Sequence, residues 1–370
     1  MLNVSPALPD ELDRAAALRE VGVENWVARR PASPIEEVLR GVAAEPSVLG
    51  AAVVRPVRAL EMRVFWTRLR ALAERAVSEW RPDVVLVGHD MAAAWAAELP
   101  PTLPAVLTCH NLTWRWYESL ARRADPARAL LLRAEAWRYR RHVMGLLPRF
   151  HSAVAVSTIE ADELRALGGT RVELIPTGVD TRELVPAPEA PGPPRVLFTG
   201  TMSYLPNHQG IVWFAREVWP LVRRDVPGAL LDVVGKGPPP DVLELDGSDG
   251  VTVHGFVDSM APFFARAQVV VVPILAGAGI RVKIIEAMSA GRAIVSTSLG
   301  CEGLAGLEDG RHLVVADDPP NFAAAAVGLL RDPAHRHQLS RDARELAERS
   351  YDWRQLGDQL ERVLRDAAAS

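Results

Sequence analysis

PILAGAGIRVKIIEAMSAGRAIVST occupies residues 273 to 297 and decides how the rest of the chain is read. An apolar run from Val269 to Ile274 falls into a Gly-rich loop carrying Arg281 and Lys283. Glu286 follows in a helical pattern, Gly291 closes that pattern, and AIVST reads as a further strand. A strand, a glycine loop and a helix N-terminus in that order make an anion site. The first helical N–H groups lack intrahelical partners and carry partial positive charge. Gly277 and Gly279 let the backbone approach a ligand closely. Arg281 can grip a phosphate with two parallel hydrogen bonds, and Lys283 adds a point charge. Glu286 suits two sugar hydroxyls, such as those of a ribose. Diphosphate plus ribose is the polar half of a nucleotide-sugar. The alternative is a tight crossover whose charges form a solvated face.

The pattern repeats outward along the chain. DVVLVGHD (83 to 90), AVLTCHN (105 to 111), SAVAVST (152 to 158) and RVELIPTGVD (171 to 180) are strand-like in the first half. RVLFTG, ALLDVVG, GVTVHG, QVVVVPI, RAIVST and HLVVAD follow in the second. Continuous Val/Ile runs indicate strands buried on both faces, and alternation with helical patterns gives parallel sheets. VPAPEAPGPPR (185 to 195), with five prolines, reads as a linker. The expected architecture is α/β, with two doubly wound, Rossmann-like parallel-sheet domains facing across a cleft. The boundaries are 1–185, a linker at 186–194, 195–350, and a C-terminal helix at 351–370 that crosses back to the first domain. Residues 1–30 suggest a weak strand near LNVSP, a helix at about 10–20 and a strand in VENWVARR.

Composition narrows the function. The formal net charge of −4 argues against bulk attraction to nucleic acid. Cys109 and Cys301 form neither a disulfide framework nor a metal spacing, which fits a reducing, cytoplasmic compartment. No apolar run approaches the length of a membrane span, and the acidic first twenty residues are no signal peptide. Residues 115–149 hold nine arginines against three acidic side chains, among tryptophans and leucines. This is either a membrane-surface helix or an ordinary solvated one. The first would make the protein peripheral on the inner membrane face.

The stretch GAGIRVKIIEAM followed by SAGRAIVSTSLGCEGL resembles the donor-site signature of retaining GT-B-type glycosyltransferases of family 4 (group 1). FTGTMSYLPNHQG (198 to 210), IPTGVD (175 to 180), TCHN (108 to 111) and YDW (351 to 353) match that family in order and place. The resemblance implies a hexosyl transfer, with a nucleotide-sugar donor as substrate, a glycan or lipid-linked acceptor, no cofactor and no metal. It implies His110 at the cleft beside Glu286, Arg281 and Lys283. Donor contacts would fall on Gly277, Ala278, Gly279, Ile280, Asn111, Gly200 and Asn207, with Phe256 and Val257 flanking the base. Asn111 could instead start the next turn, Asn207 and Tyr204 could serve a turn, and Phe256 could pack in a core.

Three departures stand out. The family's first glutamate falls on Ala278. Its Arg and Lys after the first strand of the second domain are absent, which leaves Arg281 and Lys283 to supply that charge from the opposite side. Its first strand and Gly-rich loop have no counterpart, which suggests roughly 40 missing residues, about one strand–helix–strand unit. The competing expectations are a catalytically degenerate nucleotide-binding or partner subunit, and a non-hydrolysing nucleotide-sugar epimerase.

Overall fold

A computed structural model of the chain describes residues 2–7, 24–29, 71–93, 99–122, 124–169, 171–189, 191–277 and 279–370. The chain divides into two compact units, Met1–Asp83 and Val84–Ser370. In the first, β1 (Leu2–Ala7) and β2 (Glu24–Arg29) pair in parallel, Leu2 opposite Glu24 and Ala7 opposite Arg29. Residues 71–80 are helical. The helix expected at about 10–20 lies outside the described residues.

The second unit contains two parallel sheets. One has four strands in the order β3 (Val85–Val87), β4 (Ala105–Cys109), β5 (Ser152–Ala155), β6 (Val172–Leu174). The other has six: β7 (Arg195–Thr199), β8 (Leu230–Val234), β9 (Val251–Gly255), β10 (Val269–Val272), β11 (Ala293–Ser296) and β12 (Val314–Val315). Their spatial order is β12-β11-β10-β7-β8-β9. The Val/Ile runs explain this sheet. Val196, Phe198, Val269, Val271 and Val295 point into one core. Their chain neighbours Leu197, Val270, Val272 and Ile294 point into the other. Apolar residues at every position are what two covered faces require.

The helices used below are α1 (Thr113–Ala121), α2 (Pro126–Leu146), α3 (Thr158–Ala166), α4 (Leu205–Trp213), α5 (Trp219–Asp225), α6 (Val282–Ser289), α7 (Pro319–Arg331), α8 (Pro333–Ser350) and α9 (Trp353–Ala368). The α4 helix runs through a π-turn at Phe214–Val218 into α5. Asp318 and Asp332 cap α7 and α8 by accepting from the Asn321 and His335 amides. The C-terminal α9 buries Leu356 and Ala367 against Val106, Val154 and Ile175 on the four-stranded sheet. The chain is tied there: the Val179 amide donates to the Tyr351 carbonyl (2.8 Å), and the Trp353 amide to the Val179 carbonyl (3.1 Å). A buried Thr181 hydroxyl–Asp352 bond sits beside them.

One ionic knot lies in the six-stranded sheet. Buried Asp232 on β8 receives Arg195 Nη1 (3.1 Å), His254 Nε2 (2.7 Å) and Arg266 Nη2 (3.0 Å). Removing the carboxylate strands its donors. Asp232→Ala is expected to lower the unfolding free energy by about 3 kcal/mol, read by chemical denaturation.

Candidate donor-site cleft

In a parallel sheet the carboxyl ends of all strands lie on one edge, and a crevice opens where the strand order reverses. Here the reversal is between β7 and β10, which are neighbours in space. The loops that leave those strands carry Gly200 and the segment 273–281. Sequence order thus brings two distant loops to one crevice.

Lys283 joins them. It projects from the first turn of α6, is buried, and its Nζ donates to Asn207 Oδ1 at 2.8 Å. Asn207 is fixed in that orientation because its Nδ2 donates to the Thr201 carbonyl (2.9 Å). The ammonium also lies 4.5 Å from the centre of the Phe198 ring, a favourable cation–ring contact. Gly200, at φ +153°, gives the amine its room. A Cβ there would stand 2.7 Å from both Lys283 Nζ and Asn207 Nδ2. No carboxylate lies within ion-pair distance of Lys283 among the described residues. Burial and the charge of Arg281 push its pKa down to about 7, and Glu286 only partly opposes them.

Arg281 stands just before α6, which no side chain caps. It too is buried, and desolvation lowers its pKa, while Tyr204 and Glu302 favour the charged form. Its Nη2 and the Tyr204 hydroxyl each lie 3.3 Å from where a Gly277 side chain would begin. Glu286 follows three residues after Lys283 on α6 and is half-buried. Burial raises its pKa and the Lys283 charge opposes the rise.

The other lip of the cleft is the end of β4. His110 and Asn111 are solvent-exposed there. Asn111 Oδ1 reaches Gly279 so closely that a methyl group at that glycine would collide with it. Desolvation and neighbouring His89 lower the His110 pKa. Asn111 precedes the helix-entry residue Leu112, so it can meet Gly279 and lead into α1 at once.

The structure therefore brings Gly200, Asn207, Gly277, Arg281 and Lys283 together, with Asn111 opposite Gly279. Asn207 lies inside α4, so its fixed amide serves the amine, not a turn. Tyr204 precedes α4 and faces Arg281. Ile280 and Val257 are half-buried and pack against the sheet's core. Phe256 is 70% exposed at the end of β9, outside any core. Ala278 lies outside the described residues.

Two residues of the β4 lip carry more of the geometry than their sequence context suggested. Buried Asp90 accepts from the Thr113 amide (2.8 Å) and hydroxyl (2.9 Å) and lies 2.5 Å from His89 Nδ1. This pins the turn containing His110 and Asn111. Glu160, in the first turn of α3, is buried with its Oε2 unpartnered. Burial pushes its pKa up to about 7 against the Ser157 hydroxyl, Arg115 and the Leu112 amide. The available signal was STIE (157–160), a capping-box spacing in which Ser157 Oγ accepts the Glu160 amide at 3.1 Å.

The arrangement can hold a doubly charged oxyanion group between two cations and the start of a helix. Two family models match the chain: residues 12–183 match one described as Glycosyltransferase Family 4, and residues 193–332 match Glycosyl transferases group 1. Each half of the chain is thus similar to a glycosyltransferase model of this class. Phosphatidyl-myo-inositol mannosyltransferase of Mycolicibacterium smegmatis is 33% identical over 234 residues, covering 59% of this chain and 59% of that relative's length. Sucrose-phosphate synthase of Thermosynechococcus elongatus aligns over 97% of this chain and 92% of its own (TM-score 0.68, 19% identity). HepE of Anabaena in complex with UDP-glucose aligns over 99% and 98% (TM-score 0.62, 15% identity). At those identities the structural likeness is one of fold, and the fold is GT-B-like.

The lowered Lys283 pKa has a measurable consequence. Between pH 7 and the ordinary lysine value of 10.5, the unfolded chain holds a proton on this amine that the folded chain has released. Stability is therefore expected to rise over that interval. Lys283→Met keeps the stem without the amine and is expected to lose that contribution in denaturation curves taken across the range.

Proposed function

We propose that the chain is a glycosyltransferase that moves a hexose from a nucleoside-diphosphate sugar to an acceptor hydroxyl, with retention at the anomeric carbon. The observation that carries this is the Lys283 ammonium, held between two loops at the strand-order switch without a carboxylate of its own. A buried cation is costly until an anion joins it, and a diphosphate is the anion that fits beside Arg281. As the glycosidic bond to the donor breaks, the leaving diphosphate gathers negative charge. Preorganised cations and helix N–H groups stabilise it there. In this reading Arg281 and Lys283 replace the charge a metal would otherwise provide, and no cofactor takes part. Glu286 receives the ribose hydroxyls. Asn111 and His110, on the opposite lip, orient the sugar. Gly200 and Asn207 set the position of the amine, and exposed Phe256 is available to stack on the base.

The relatives' names support the same class: one is a mannosyltransferase acting on phosphatidyl-myo-inositol, and HepE was solved with UDP-glucose. The acceptor class is accordingly a lipid-linked or surface glycan, and the site of action is the inner membrane face. No helix among the described residues is long and apolar enough to cross a membrane, so association would be peripheral.

Calorimetric titration with UDP, GDP and ADP tests the donor site. One nucleotide should bind, Arg281→Ala should weaken it at least tenfold, about 1.4 kcal/mol, and Glu286→Ala should abolish discrimination between ribo- and 2′,3′-dideoxy nucleotides. Binding unchanged in Arg281→Ala would remove the diphosphate assignment. Binding without sugar transfer from any donor would identify a degenerate, nucleotide-binding homologue.

A further inference from the structure

The hairpin α1–α2 carries an apolar surface that the fold does not use. The inward face of α2 is complete: Ala129, Leu132, Ala136 and Val143 are buried against α1 and the four-stranded sheet. A second, adjacent stripe, about 110° round the helix, repeats every seven residues. Leu130 is 69% exposed, Trp137 64% and Met144 40%, and they fall on one line along the helix. Leu131 on α2 and Trp116 and Leu120 on α1 are exposed as well. A helix whose apolar side chains extend well beyond its core-facing stripe normally has the second stripe covered too.

The charge around this line selects what covers it. Residues 115–149 hold nine arginines and three acids, a local charge of +6 in a chain of −4. Subtraction leaves −10 for the remainder. Arg138 and Arg140 are balanced by Glu135 (2.7 Å) and Glu163 (3.6 Å). Arg128, Arg133 and Arg141 are exposed and have no carboxylate partner among the described residues. Arg133 and Arg141 flank the apolar line on the helix surface. The Arg141 guanidinium lies 5.7 Å from the Trp137 ring centre, beside the apolar line.

We infer that this face is the membrane-docking surface of the protein, and that its partner is a bilayer rich in anionic lipid. Tryptophan and leucine enter the headgroup boundary while the flanking arginines meet lipid phosphates. A second copy of the chain suits the face poorly, because a two-fold contact would set Arg133 and Arg141 against their own equivalents. The placement rests on the transferase reading and deepens it. The α1 helix begins two residues after Asn111, so a bilayer against this hairpin lies beside the acceptor lip of the cleft. A lipid-linked acceptor would then reach the donor site without leaving its membrane.

Co-sedimentation of the full chain with phosphatidylcholine vesicles, with and without phosphatidylglycerol, tests this. Partitioning to the anionic vesicles is expected to exceed that to neutral ones at least tenfold at low salt and to fall at high salt. The pairs Arg133→Glu/Arg141→Glu and Leu130→Ser/Trp137→Ser should each reduce it at least tenfold, while Leu243→Ser, exposed elsewhere, should leave it unchanged. Nucleotide affinity should be the same in all three variants, which reports that each is folded. Equal partitioning to neutral and anionic vesicles would overturn the inference. So would partitioning insensitive to either pair, or a dimer dissolved by these substitutions in the absence of vesicle binding. Loss of nucleotide binding in the unaltered chain would sink the transferase reading instead and leave the vesicle result standing.

Discussion

The hydrogen bond from Lys283 to Asn207 is the contact on which the site depends. It links the helix after β10 to the helix after β7, across 76 residues of sequence. Everything around it serves that link. Gly200 leaves the amine room, the Thr201 carbonyl locks the Asn207 amide, and Phe198 presents its ring. The cost is a cation held out of water, visible in a pKa pushed down to about 7. Under the proposed function that cost is offset when an anion binds. Under the proposed function, Lys283 on α6 would supply the charge that basic residues after β7 would otherwise bring.

Much of the six-stranded sheet was legible because its signal is local. Runs such as Val269–Val272 are apolar at every position, and only a strand covered on both faces needs that. Arg281, Lys283 and Glu286 were likewise legible as chemistry, because a glycine loop opening a helix is written in one short stretch. Their partners were not. That Lys283 would meet Asn207, or that Asn111 would close on Gly279, depends on which strands become neighbours. Nothing in either local pattern encodes that order. The same limit hid the bonds from Thr113 to Asp90, which span a strand and a loop, and left Phe256 ambiguous between core and surface. Asn207 was read as a turn candidate because YLPN resembles one. In the structure Pro206 occupies the first turn of α4, and the asparagine follows it within the helix.

The chain carries its charge unevenly, and the unevenness matches its geometry. Cations are buried at the switch point and exposed on the α1–α2 hairpin, while the remainder is acidic. The β4 lip connects the two regions. Asp90 pins the turn that holds His110 and Asn111, and the same turn starts the hairpin. The proposed donor site and the proposed docking surface would therefore both adjoin one strand end. Asp352 and Thr181, meanwhile, fasten the start of α9, which packs on the four-stranded sheet.

The central claim is that the loops after β7 and β10 form one diphosphate cradle, tied by Lys283. Amide hydrogen exchange with and without the nucleoside diphosphate that binds tests it most directly. The account predicts that residues 199–204 and 277–283 are slowed together, and that Lys283→Met removes the protection from both segments. Protection confined to one loop, or found elsewhere in the chain with neither loop affected, would contradict it.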